Sequence, residues 1–232
     1  MSLFCAGLLL AFAHWSAHHP ALAVDVESTH TSFANTMTTR KPPSAQVPGE
    51  IARRLVGASV PGIPLPCTDG TSVDLRAFSG LTVVVIVPGP SNPNNLPSQE
   101  WLAGWTKIPG AAGCTGECKA FNRTPGLLPR AGIKFFVLTG QAPDVQRELS
   151  SPRALSLGFP MLSDENGEWA EALGLPRFEY DGKVYHPRIT LLLQAGEIKR
   201  VISEIPDPSA HVDTVYEVLT KEFGTSLPRE AL

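Results

Sequence analysis

The sequence predicts a three-layer α/β domain built on a mixed sheet. Two apolar runs, "LTVVVIV" at 81–87 and "GIKFFVLTG" at 132–140, read as buried central strands separated by helical segments. Later, "RITLLLQAGEIKRVISEI" reads as an antiparallel pair turning at Ala195-Gly196. A closing helix follows, with Val212, Val215, Tyr216 and Leu219 on one face at helical spacing. Strands alternating with helices, then an antiparallel pair and a last helix, place helices on both faces of the sheet.

The remaining elements follow from local chemistry. "PGIPLPCTDGTSVDL", 61–75, is a short hairpin turning at Asp69-Gly70. The stretch 88–110 is too rich in Pro and Asn to be regular throughout, but Ser98 can cap a short helix running to Trp105. "PDVQREL" at 143–149 is a helix behind the second strand. "NGEWAEALGL" at 166–175 is another, closed by Gly174 at its C-cap. "FEYDGKVYH", 178–186, is a hairpin on Asp181-Gly182. No internal repeat is present.

Composition bounds the function. With 232 residues and 43% hydrophobic content, the chain can bury one substantial core. Its 22 prolines and 20 glycines signal many turns without low complexity. A net charge of -3 gives no basic footprint, so nucleic acid is not an expected partner. No run is long and apolar enough to span a bilayer, so no membrane role is expected. Four cysteines (Cys5, Cys67, Cys114, Cys118) are too sparse for a disulfide scaffold.

Residues 1–23 carry a signal-like apolar run and an "ALA" cleavage pattern, but no Lys or Arg precedes the run. A start at Met37 with a polar leader is the alternative. The expectation is a leader over 1–48 that stays outside the domain, a domain over 49–224 and a tail over 225–232. A cytoplasmic location is expected, or a secreted or periplasmic one if 1–23 is a genuine signal.

The chemistry concentrates in "IPGAAGCTGECKAF", 108–121. Pro109-Gly110 forces a turn that delivers Cys114 to the start of a helix. A helix amino terminus carries about half a positive charge and unpaired N–H groups, both of which favour thiolate over thiol. Gly113 would leave the approach to the sulfur open. Cys5 and Cys67 read instead as buried, inert residues. Cys118 returns to within about 40° of Cys114 on the helix face. A disulfide between them would require the first turn to unwind, since helical Cβ atoms at that spacing stand about 5–6 Å apart. Metal binding is the other reading of the pair, but structural zinc wants four ligands and no third cysteine or histidine lies in the segment.

These residues resemble a known family, the peroxiredoxins. "GCTGECKAF" is similar to the active-site segment of the bacterioferritin-comigratory, Q-type subgroup. "GASVPGIPLPCTDGTSVDLRAFSG", "FPMLSDENGEWAEALGL" and "HPRITLLLQAGEIKRV" resemble the family's opening hairpin, its Phe-Pro-Leu-Leu-Ser-Asp segment and its arginine-led strand pair. "GWTKIPGAAGCT" is similar to a spacer found in one peroxiredoxin subgroup. The match runs over about 55–220, in order.

The resemblance implies a thioredoxin-like three-layer α/β/α sandwich with a mixed central sheet. It implies a thiol-dependent peroxidase that reduces hydrogen peroxide or organic hydroperoxides and is recycled by thioredoxin or a small thiol. Cys114 would be the peroxidatic cysteine, Arg188 the arginine supporting its thiolate, and Cys118 a resolving thiol. Pro109, Gly113, Thr115 and Glu117 would contribute to substrate binding, Glu117 matching the motif's Glu/Gln. No metal or organic cofactor is implied, and the protein would be a monomer or homodimer. The rival reading is a non-catalytic redox-sensing or binding protein on the same fold. Three departures from the family pattern are present, and Ala111 and the altered helix make that rival plausible. Ala111 replaces the family's Thr or Ser, Lys119 stands where Q-type relatives carry their resolving cysteine, and Pro125, Gly126 and Pro129 should kink or end the helix.

Overall fold

A computed structural model describes residues 48–227. Cys5, the signal-like stretch, the alternative start at Met37 and the last residues of the tail lie outside the described residues.

Five strands form the central sheet: β3 (Leu81–Ile86), β4 (Lys134–Thr139), β5 (Met161–Ser163), β8 (Ile189–Gln194) and β9 (Glu197–Ile202). Their order is β5-β4-β3-β8-β9. The β3–β4 and β4–β5 pairs are parallel, whereas β8 and β9 pair antiparallel to their neighbours. Both apolar runs are therefore central strands, and the expected mixed sheet is present. Two small hairpins flank it: β1 (Leu65–Pro66) with β2 (Ser72–Val73), and β6 (Phe178–Tyr180) with β7 (Lys183–Tyr185). Asp69-Gly70 and Asp181-Gly182 turn them as expected. Asp69 holds its turn by accepting from the Thr71 N–H at 2.9 Å.

Seven α-helices complete the described residues: α1 (Pro48–Leu55), α2 (Gln99–Trp105), α3 (Cys114–Phe121), α4 (Leu127–Arg130), α5 (Pro143–Ser150), α6 (Glu168–Ala172) and α7 (His211–Phe223). Ser98 caps α2, its hydroxyl accepting from the Trp101 N–H at 3.2 Å. At the end of α6, Leu173 is the capping residue and Gly174 follows in the left-handed region at φ 68°. Its neighbour Leu175 donates back to Ala170 O at 2.8 Å, which closes the helix in a Schellman turn. Asp164 anchors the start of α6, its carboxylate accepting from the Trp169 and Ala170 N–H groups. The expected early stop after the cysteine helix is real. α3 ends at Phe121, and the chain re-enters a single short helix, α4, beyond Pro125-Gly126.

Alternation along the strands splits the core in two. Val84, Ile86, Leu138, Leu191 and Leu193 face one side, where α1, α6 and the β1–β2 hairpin pack. Val83, Val85, Val137, Met161 and Leu192 face the other, against α3, α4 and α7. α1 opens the described residues, and within it Ile51 and Leu55 repeat at helical spacing and are both buried. Beyond α1, residues 57–60 run beside β9, with Gly57 N donating to Ile198 O at 2.8 Å and Val60 N to Gly196 O at 2.9 Å. At the other end of the same stretch, Cys67 bridges to Leu162 of β5.

Since both faces are covered, Leu191→Ala and Leu192→Ala should each destabilise the fold by about 2–5 kcal/mol. Urea denaturation of the two variants checks this. A near-neutral Leu192→Ala would mean that α3 and α7 do not seal their face.

Candidate active site

The register of β3 and β8 sets the site. Ile86, the last residue of β3, stands opposite Ile189, the first of β8. The loop leaving β3 and the residues entering β8 therefore meet at one end of the sheet, and α3 begins beside them. Pro109-Gly110 makes the turn into α3, with Ala111 N donating to Ile108 O at 3.1 Å. Gly110 lies at φ 77°, which fits a type II turn with proline ahead of glycine. Thr115 ties the loop after β3 to the helix, its Oγ1 accepting from the Ser91 N–H at 3.0 Å.

Gly113 has a different task from the one the sequence suggests. It sits at φ 99° as the residue before α3, and a Cβ there would stand 2.6 Å from Pro208 Cγ. A Cβ on Gly116 would stand 2.9 Å from Ser209 Oγ. The missing side chains therefore admit the 207–210 loop against α3, and Pro208 occupies the space expected to lie open.

Cys114 is buried, 4% exposed. The thiol donates to Ala111 O at 3.4 Å, and Arg188 Nη2 donates to Sγ at 3.5 Å. The same Nη2 donates to Ala112 O at 2.7 Å. Arg188 Nη1 forms an ion pair with Glu117 Oε2. The other carboxylate oxygen, Glu117 Oε1, lies 2.6 Å from His211 Nδ1 at the start of α7. All four side chains are buried, so guanidinium and carboxylate neutralise each other out of water.

Cys114, Arg188 and Glu117, expected from the sequence, are thus brought together. Thr115 and Gly113 flank them through backbone and loop contacts, whereas Pro109 is exposed on the turn. Cys118 is 1% exposed and faces the α3–α7 core, and burial, then the neighbouring Cys114, pushes its thiol up. Cys67 is buried and its thiol is raised chiefly by burial, in keeping with an inert residue. Nothing in the sequence points to His211, which lies 94 residues from Glu117 with no local signal to link them.

His211 is pulled down to about 4, first by burial and then by the Arg188 charge. The ring is therefore neutral near pH 7, with Nδ1 facing the carboxylate. Among the described residues no group of His, Cys, Asp and Glu could hold a metal ion, and no helix is long and apolar enough to cross a membrane.

The pattern of the Redoxin family matches residues 55–219, more than two thirds of the chain. The chain belongs to the Redoxin family. Solved structures it resembles include peroxiredoxins. Mycobacterium tuberculosis peroxidoxin BcpB superposes with a TM-score of 0.54 at 21% identity, covering 71% of this chain and 95% of that one. The Xanthomonas campestris bacterioferritin comigratory protein gives 0.54 at 20%, covering 72% and 98%. A cysteine variant of Xylella fastidiosa PrxQ gives 0.56 at 14%, covering 72% and 96%. Among curated proteins, none matches the chain. These likenesses fix the thioredoxin-like α/β fold expected of this Redoxin family member.

The buried histidine makes a signed prediction. Its folded-state value lies below the ordinary 6.5, so the unfolded chain takes up a proton first as pH falls. The stability tied to the neutral ring is complete above about 6.5 and is lost progressively toward about 4, on the order of 3 kcal/mol in all. Urea unfolding of wild type and His211→Asn across that range checks it. The variant should lose less stability over this interval.

Proposed function

We propose that this Redoxin family chain is a thiol-dependent peroxidase in which Cys114 is the nucleophile. The observation that carries the reading is the buried Arg188 guanidinium 3.5 Å from the Cys114 sulfur at the first turn of α3. The thiolate is the form that attacks, and the guanidinium beside the sulfur can donate to the peroxide oxygens. The thiolate displaces the distal peroxide oxygen. The S–O bond forms as the O–O bond breaks, and the departing oxide takes a proton to leave as water or an alcohol. Cys114 is left as a sulfenic acid.

With Ala111 in place of a hydroxyl residue, Arg188 and the first N–H groups of α3 supply the donors for the peroxide oxygens. The Xanthomonas campestris neighbour has alkyl peroxide reduction activity, which supports the same chemistry here. A reducing thiol, from thioredoxin or a small molecule, then condenses with the sulfenic acid to release water, and a second thiol restores Cys114. A cytoplasmic location belongs to this reading, since such thiols are kept reduced there.

Cys118 is the internal candidate for that first condensation. Its burial and its place one turn on require the start of α3 to unwind before the sulfurs can join. Gly116 weakens helix propensity at that turn, and α3 is only eight residues long.

Cys114→Ser should abolish peroxide turnover, because a hydroxyl supplies no thiolate-like nucleophile at neutral pH. Substantial residual turnover would remove Cys114 from the mechanism and overturn this reading. Arg188→Lys keeps a cation beside Glu117 but cannot serve sulfur, carbonyl and carboxylate at once. Stopped-flow oxidation should slow by about tenfold or more. Mass mapping of peroxide-treated protein should find a Cys114–Cys118 disulfide. A persistent Cys114 sulfenic acid with Cys118 free would leave recycling wholly to an external thiol.

A further inference from the structure

We propose that His211 is a positioning residue for the peroxidase reaction: its Nδ1–H locks the Glu117 carboxylate that aims Arg188 at the Cys114 sulfur. The role rests on the peroxidase reading above. Three independent features meet at this ring. His211 Nδ1 lies 2.6 Å from Glu117 Oε1, while the opposite carboxylate oxygen pairs with Arg188. The ring itself is wedged, 1% exposed, with its plane nearly perpendicular to the Phe121 ring at 5.9 Å. The loop that presents it, 207–210, is seated on α3 through Pro208 at Gly113 and Ser209 at Gly116.

Chemistry fixes the direction of the bond. Among the described residues His211 Nε2 has no hydrogen-bond partner, whereas Nδ1 faces a carboxylate, which can only accept while ionised. The ring proton therefore belongs on Nδ1. The charged groups acting on the ring from the elements packed around it are Glu117 of α3 and Arg188 at the head of β8. Burial and the Arg188 cation both oppose a second proton on the ring. His211 is accordingly a neutral donor, and the ion pair beside it keeps a single carboxylate and a single guanidinium.

Without that donor, Glu117 Oε1 is left buried with one partner fewer, and the carboxylate is free to rotate about its last torsion. Arg188 Nη1 follows the carboxylate, and Nη2, shared between Ala112 O and Cys114 Sγ, moves off the sulfur. The histidine thus acts on the reaction through two other side chains and touches no substrate.

Two measurements test this. Long-range 1H–15N spectra of the wild-type protein at pH 7 should show His211 as a neutral ring protonated at Nδ1. An imidazolium, or a ring protonated at Nε2, would overturn the proposal without any variant. Stopped-flow oxidation of Cys114 by hydrogen peroxide should then be compared in His211→Leu and His211→Asn, with circular dichroism confirming the fold of each. Leucine fills much of the volume but donates nothing, whereas the asparagine amide can reach the place of Nδ1–H. The leucine variant should be slower than wild type by about ten- to a hundredfold, and asparagine should recover most of that loss. A role in packing alone predicts the reverse order, so a leucine variant as fast as asparagine would overturn the proposal. If wild-type Cys114 failed to react with peroxide at all, the peroxidase reading and this role would fall together, while the Nδ1–H bond would still show in the spectra.

Discussion

Arg188 carries a permanent charge at 3% exposure, and taking such an ion out of water costs several kcal/mol before any contact is made. That cost is tolerable only where a buried anion and further acceptors stand ready. Glu117 provides the anion, Ala112 O an acceptor, and Cys114 a sulfur able to bear negative charge. The site is therefore a closed set of mutual obligations. Remove the carboxylate and the guanidinium is uncompensated. Remove the guanidinium and the carboxylate is uncompensated instead. The Cys114 sulfur lies 3.5 Å from that guanidinium, at the edge of the same arrangement.

Three stretches distant in sequence must converge for this to work. α3 brings Cys114 and Glu117, the approach to β8 brings Arg188, and the start of α7 brings His211. The sheet aligns the first two through the Ile86–Ile189 register, and the apolar face of α7 brings in the third. Val215, Tyr216 and Leu219 bury that helix against the same side of the sheet as Cys118 and Phe121. Hydrophobic packing thus sets coarse position, while the ion pair and its hydrogen bonds set orientation. The aromatic cluster of Trp101, Trp105, Tyr180 and Tyr185 braces the remaining side, joining α2 to the hairpin that leads into Arg188.

Much of this is legible in the chain because its signals are local. Continuous Val/Ile/Leu runs can only be buried strands, and Asp-Gly and Ala-Gly pairs supply the turns their hairpins need. Cys114 stands out because Pro109-Gly110 precedes it and a helix follows. What stays hidden is long-range or double-edged. A histidine opening an amphipathic helix looks like any polar residue at a helix end, and only the folded chain shows it against a carboxylate. Gly113 marks the right position for the wrong reason, since a sequence cannot say that a proline far along the chain needs the space. Helix α1 escapes a sequence reading because its apolar stripe is just Ile51 and Leu55, flanked by Arg53 and Arg54.

The stretch from Gly57 to Cys67 bonds to β9 at one margin of the sheet and to β5 at the other. These are the two strands whose outer backbone groups would otherwise offer a template to a second chain. A sheet this rich in valine and leucine is a strong candidate for strand-by-strand aggregation, and one crossing segment blunts both open margins. Self-association by sheet extension is thereby disfavoured.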